Sequence, residues 1–349
     1  MGPSRALIIG FNYKRKSSAS RELKGTYNDA CNMWQLLIDL GYPEDEIEVI
    51  LDDKPNPLPT ARYVMEALKW LIDGVTCGYR LFLYYAGHGG REQDGADMDE
   101  VSGKDDTLIM PDGSIIIDDW LNDLLQLLPE GVNFTAVFDC CHSGTALDLP
   151  HNYGFKTNKE TGVKTLEEVM EKAPGEKATG GGQKKATKPE MEINEETGVK
   201  THGEVMEKES GKNATGGEQP EATESEMEIY SKNAKNKRTR CHAVLLSACA
   251  DAEVAWDAKL NSMRSWEPDF HQGVMTANFI KWVYKNMLDV NSAPSYQAMF
   301  RAIGIGVREW CEKKLPIGKK YQTPQMSSGK LLGELACSGG VGFIGVVSG

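Results

Sequence analysis

Asn133-Phe134-Thr135-Ala136-Val137-Phe138-Asp139-Cys140-Cys141-His142-Ser143-Gly144 is a short apolar run that stops at a small-residue turn and carries two thiols at its end. A second run, Arg80-Leu81-Phe82-Leu83-Tyr84-Tyr85-Ala86-Gly87-His88-Gly89, has the same build and ends in an imidazole. Short segments rich in Val, Phe and Leu that break at glycine read as buried strands of a parallel sheet. Open sheets of this kind bind ligands at the carboxyl ends of their strands. The two runs therefore deliver a His and a Cys to one edge.

The flanking sequence supports that sheet. Arg5 to Gly10 reads as a strand, Asn28 to Leu40 as an amphipathic helix, Glu46 to Leu51 as a strand and Thr60 to Asp73 as a second helix. The alternation predicts an α/β fold, a wound and mostly parallel β-sheet flanked by helices on both faces. Leu108 to Ile117, with Pro111-Asp112-Gly113 between two apolar runs, reads as a small hairpin beside it. Cys241 to Cys249 is another buried strand, followed by helices around Val274 to Met287 and Ser295 to Lys313.

Between these halves, from about Phe155 to Arg240, the composition shifts to Lys, Glu, Gly, Thr and Ala. Glu160-Thr161-Gly162-Val163-Lys164-Thr165 recurs as Glu196-Thr197-Gly198-Val199-Lys200-Thr201, and Glu190-Met191-Glu192-Ile193 as Glu226-Met227-Glu228-Ile229. Two such copies, rich in glycine and poor in bulky apolar positions, cannot bury a core, so the segment reads as a duplicated, largely disordered linker. The expected organisation is a first half over 1–154, a linker over 155–240 and a second half over 241–349.

Thirty-nine basic against 51 acidic residues leave a net charge of −12, which argues against nucleic acid and for cationic ligands. No run of about 18 apolar residues predicts a membrane span, and the opening residues lead straight into a strand rather than a signal peptide. The eight cysteines form no Cys-x-x-Cys pair, which suits a reducing, cytoplasmic setting better than a disulfide framework or zinc knuckle.

A thiol is mostly protonated at neutral pH and needs a nearby imidazole to act as a nucleophile. His88 with a thiol of the second run supplies that pair. Glycines on both sides of His88 allow a sharp turn and close substrate approach, while Ser143 and Gly144 open a turn whose N–H groups could face an oxyanion. Either residue alone has a plainer reading, a turn histidine or a small buried hydrophobe. Neighbours on a strand point to opposite faces, so only one of Cys140 and Cys141 faces the cleft, and spacing does not choose between them.

In these motifs the chain resembles the metacaspases, caspase-like cysteine peptidases. The likeness lies in Tyr85-Ala86-Gly87-His88-Gly89, Asp139-Cys140-Cys141-His142-Ser143-Gly144-Thr145, Leu147-Asp148-Leu149-Pro150, Leu23 to Ala30 and Pro324 to Ser328. It covers everything but the central insert, in the manner of a type I catalytic domain without its N-terminal prodomain. The resemblance implies a caspase-like fold, with His88 as general base, Cys141 as nucleophile, and the Gly89 and Cys141 backbone at the oxyanion. It also implies a substrate pocket for Arg or Lys lined by Asp29, Ala86 and Asp139. A desolvated carboxylate there would be satisfied bidentately by a guanidinium.

The same resemblance makes Asp105, Asp118, Asp119 and Asp148 calcium ligands. Carboxylate oxygens suit that ion, although Asp118 also reads as an N-cap and Asp119 as a first-turn acid of the following helix. The implied function is a calcium-dependent endopeptidase made as a zymogen. It would be autoprocessed at linker residues such as Lys172, Lys177, Lys184, Lys185, Lys237, Arg238 and Arg240. A monomer is expected, and the rival is a catalytically quiet scaffold in protein quality control. One departure is Asp251-Ala252-Glu253-Val254-Ala255-Trp256-Asp257, where the family carries Asp-x-Gln-Thr-Ser-Ala-Asp.

Overall fold

The computed structural model describes residues 2–14, 21–54, 57–93, 104–141, 146–157, 164–169, 239–249, 255–260, 270–287, 295–316 and 322–330. Five parallel strands make the centre: β1 (Ser4–Gly10), β2 (Ile47–Leu51), β3 (Arg80–Ala86), β7 (Asn133–Asp139) and β10 (His242–Ser247). Antiparallel β13 (Gln325–Ser328), β8 (His151–Thr157) and β9 (Lys164–Val169) extend one side, giving the order β2-β1-β3-β7-β10-β13-β8-β9. This is the wound, mostly parallel α/β sheet read from the sequence. The halves share one layer, with β10 and β13 of the second set between β7 and β8 of the first.

Alternation along the strands sends side chains into two cores. Ala6, Ile8, Phe82, Tyr84 and Val137 pack with helices α1 (Thr26–Asp39), α4 (Val274–Met287) and α5 (Tyr296–Lys314). Leu7, Ile9, Leu83, Tyr85 and Phe138 pack on the other face with α2 (Ala61–Ile72) and α3 (Asp118–Gln126). Thr60 and Ser295 cap α2 and α5, accepting the N–H groups of Tyr63 and Ala298. Among the described residues no helix is long and apolar enough to cross a membrane, and seven cysteines are free thiols.

Three readings are corrected. The segment from 155 is not all linker: β8 runs through the 154/155 boundary to Thr157, β9 pairs with it, and Phe155 stacks on Phe300 at 4.8 Å. The first repeat copy thus enters the sheet at Lys164, while 170–238, with the second copy and every candidate cleavage site except the exposed Arg240, lie outside the described residues. Asp118 does not cap α3; Ile117 holds that position, and Asp118 is its first helical residue. The chain turns at Gly87, and His88 already opens β4 (His88–Gln93), the first strand of a small sheet with β5 (Lys104–Ile109) and β6 (Ile115–Ile117).

Candidate active site

β3 and β7 are neighbours in parallel register, with Ala86 opposite Asp139. His88 and Cys141 follow their strand ends by the same two residues, so both leave the sheet at one height on its carboxyl edge. Gly89 shows how close the two segments come. A Cβ there would overlap the Cys141 carbonyl oxygen and lie 3.3 Å from Cys140 Sγ, so only glycine fits. The glycine after the histidine serves this backbone approach rather than the turn. It brings the two backbones proposed for the oxyanion side by side; residues 142–145 lie outside the described set.

His88 is clamped by backbone and ring. Its N–H donates to Tyr13 Oη at 2.8 Å, Tyr85 Oη donates to its carbonyl at 2.8 Å, and the Tyr13 ring lies 4.5 Å from the imidazole. Nε2 stands 2.6 Å from the Arg21 carbonyl oxygen. A carbonyl only accepts, so in the neutral ring Nε2 carries the proton and Nδ1 is the basic nitrogen.

Tyr13 itself sits at φ 56°. Asp52 holds it there by accepting the N–H groups of Asn12 and Tyr13 at 2.8 and 2.7 Å. The Tyr13 hydroxyl in turn donates to the Ile109 carbonyl at 2.6 Å. Removing that hydroxyl in Tyr13→Phe strands a part-buried His88 N–H, so we expect a loss of about 1–2 kcal/mol. A shift of the urea midpoint at unchanged slope is the readout, and a midpoint equal to wild type would refute the clamp.

The two thiols are not equivalent. Cys140 is 1% exposed in the α2/α3 core, whereas Cys141 is only half-buried. The Cys141 sulfur receives a hydrogen bond from the Cys249 thiol and the N–H of Ala255 at 3.4 Å. The Cys249 bond does most to lower its pKa to about 7; burial and the Asp139 charge oppose it. A substantial thiolate fraction at neutral pH follows.

Below this edge lies an acidic pocket. Asp29 on α1 and Asp139 at the end of β7 converge on Gly273, where a Cβ would collide with Asp139 Oδ2 and lie 3.2 Å from Asp29 Oδ2. Asp29 Oδ2 accepts the Gly273 N–H at 2.8 Å, and Asp139 Oδ2 accepts both the N–H and the hydroxyl of Thr276, at 3.0 and 2.6 Å. Tyr84 Oη lies 2.8 Å from that hydroxyl and completes the relay by donating to it. Ala86, opposite Asp139, adds only a methyl group to this face.

Burial, then the neighbouring Asp139 charge, pushes the Asp29 carboxyl well above the usual range; burial alone is the main cause of Asp139 rising to about 6. Asp257, on β11 (Asp257–Lys259), acts on both. Asp29 Oδ1 and Asp257 Oδ1 are buried with no hydrogen-bond partner among the described residues. Asp257 Oδ1 does face His271 Nδ1 at 3.6 Å, but three converging carboxylates, two of them with an oxygen that accepts no hydrogen bond, fit one cationic, multidentate guest.

The four proposed calcium ligands lie on neighbouring segments but do not form a finished cage. The β5–β6 register, Thr107 opposite Ile117, brings Asp105 and Asp106 towards Asp118 and Asp119, and Asn122 of α3 donates to the Leu147 and Asp148 carbonyls at 2.9 and 3.2 Å. Asp105, Asp118 and Asp148 are buried, Asp119 is half-buried, and Asp148 sits at φ 48°. These are hard oxygen donors of the kind calcium takes. Yet Asp118 spends its oxygens on the N–H groups of Asp106 and Asp119, both at 3.1 Å. Among the described residues no three His, Cys, Asp or Glu side chains form a group that could hold a metal ion. The donor set fits calcium in kind.

Tyr13, Asp52, Thr276, Asp257 and Cys249 complete the site without having marked themselves in the sequence. None carries a local signal, because each is separated by dozens of residues or more from the group it serves. Only the Asp257 position stood out, as the end of an atypical motif.

An imidazole and a thiol thus follow adjacent strand ends, close to a cluster of carboxylates. Residues 4–150, less than half of the chain, match the family model for the metacaspase, peptidase C14 domain. It is 42% identical over 162 residues to Metacaspase-1 of Eremothecium gossypii, a match covering 44% of this chain and 35% of that one. With Metacaspase-1 of Candida albicans it shares 36% over 194 residues, covering 51% and 43%. The chain thus spans less than half the length of these relatives. The solved structure of pro-sf-caspase-1 is similar over 94% of this chain and 88% of that one, with 11% identity and a TM-score of 0.43.

Proposed function

We propose that this chain is a cysteine endopeptidase that cleaves after Arg or Lys. The observation that carries the reading is the acidic cluster itself: buried Asp29 and Asp139 with half-buried Asp257, near enough to Cys141 for the Asp139 charge to act on its sulfur. A substrate guanidinium or ammonium seated there places the following carbonyl carbon at that sulfur. Nδ1 of His88 accepts the thiol proton, the thiolate attacks, and the oxyanion faces the Gly89 and Cys141 backbone. The imidazolium then gives its proton to the leaving amine, and a water activated by the same nitrogen releases the acid from the thioester.

Calcium dependence belongs to the same proposal. Asp105, Asp118, Asp119 and Asp148 would hold the ion, which supplies charge neutralisation to a cluster of acids beside the β4–β5–β6 sheet. We further propose a cytoplasmic zymogen that cuts its own linker and works as a monomer. The β8–β9 hairpin supports the last point by pairing the outer edge of β13.

The test is cleavage of peptides with Arg, Lys, Asp or Leu before the reporter, in millimolar calcium or chelator. Arg and Lys peptides should turn over at least about 10³-fold faster than the Asp peptide, as expected where buried charges would face a like charge. Chelator should remove the activity; indifference to it would take calcium out of the reading. A quiet scaffold would cleave none of the four and leave Cys141 unlabelled by a basic-residue covalent inhibitor.

A further inference from the structure

Three thiols meet where β7 and β10 end. Ser247 lies opposite Phe138, and the Ala248 N–H continues the pairing to the Phe138 carbonyl at 2.9 Å, which brings Cys249 beside Cys140 and Cys141. Cys140 and Cys249 are 1% and 0% exposed, so both are disfavoured as anions, whereas Cys141 is half-buried. Any negative charge in the trio settles on Cys141.

The Cys249 thiol has two acceptors in reach but one hydrogen. It lies 3.5 Å from the Cys140 carbonyl oxygen, and it also hydrogen-bonds the Cys141 sulfur. A neutral thiol is a weak acceptor and a thiolate a strong one. The preferred direction of this hydrogen therefore depends on the charge of Cys141. The second donor, the Ala255 N–H, comes from the same half of the chain and needs no side chain.

Taking Cys141 as the nucleophile, as above, we propose that Cys249 is its positioning residue. The Cys249 thiol hydrogen turns from the Cys140 carbonyl to the Cys141 sulfur as that sulfur ionises. Together with the Ala255 N–H it holds the thiolate in line, so the reactive form of a first-half residue is set by the second half. The direction in which the Cys141 pKa moves agrees, since this hydrogen bond is the foremost cause of its fall. Cys249 itself never carries the charge and never touches substrate.

The experiment follows the pH dependence of Cys141 alkylation by iodoacetamide in the full chain, kept whole with chelator and read by mass spectrometry. It requires no peptidase activity. Wild type should show a midpoint near 7. In Cys249→Ala the midpoint should rise by about one pH unit, which cuts the rate at pH 6.5 roughly tenfold. Cys249→Ser keeps an O–H donor in a slightly smaller side chain and should stay close to wild type.

An Ala midpoint equal to wild type, or Ser and Ala variants displaced by the same amount, would overturn the proposal, the second by assigning the effect to packing. Failure of the nucleophile assignment would look different: cleavage surviving in Cys141→Ala.

Discussion

Cys141→Ala should abolish peptide cleavage, with a loss of at least about 10⁴-fold, and should leave the chain in one piece when calcium is added. Wild type under the same conditions should be cut within 170–238 and yet elute as a single species. The reason lies in the strand order. β10 and β13, from after the linker, lie between β7 and β8, from before it, and pair with them on both sides. Separating the fragments would break both ladders and open the core where Val137, Tyr153, Val244 and Met326 meet. Denaturing gels with gel filtration check both halves of the statement. Self-cleavage by Cys141→Ala would refute the nucleophile, and fragments eluting apart would refute the shared sheet. His88→Ala should match the loss of cleavage, because it removes the imidazole that leaves the sheet beside Cys141.

Asp29→Asn carries the second large effect, of opposite sign on binding and on stability. An Arg peptide loses a buried ionic partner, so KM should rise about 10² to 10³-fold with a smaller change in kcat. The folded chain meanwhile loses a buried charge that faces Asp139 and Asp257. A carboxyl group whose folded pKa lies above its unfolded one binds protons more tightly when folded. Its contribution to stability is therefore complete at low pH and declines as pH rises through the folded value.

For Asp139 that decline spans pH about 4 to about 6, and Asp29 adds to it in the same direction. Wild type should lose stability across this window, while Asp29→Asn should lose less and be more stable by about 1–2 kcal/mol at pH 7.5. Thermal unfolding from pH 4.5 to 8 measures this, and a variant less stable than wild type at pH 7.5 would contradict the picture of uncompensated charge. Binding runs the other way. The pocket needs ionised Asp139, so KM for Arg peptides should climb as pH falls below about 6.

Much of this was open to a reader of the chain alone. Strand ends set by glycine, a His and a Cys two residues past their strands, and acids in Asn28-Asp29 and Asp139-Cys140 are local patterns, and local patterns survive translation into sequence. β8 and β9 were missed for a physical reason. β8 offers only Tyr153 and Phe155 as bulky apolar residues, too few for a clear alternating pattern, and the Lys-, Glu- and Thr-rich β9 joins it through backbone pairing. Asp118 reads equally as a cap or a first-turn acid, and the hairpin register decided for the second by giving its oxygen the Asp106 N–H.

The sequence by itself determined the layered α/β sheet and which strands end in reactive groups, because burial periodicity and turn chemistry act over a few residues. Only the tertiary structure decided that Tyr13 and Arg21 would hold His88, that Gly273 would admit Asp29 and Asp139 to one pocket, and that Cys249 would reach Cys141. Those meetings depend on strand order and register. Both are settled by the whole core closing at once, across separations no local pattern encodes.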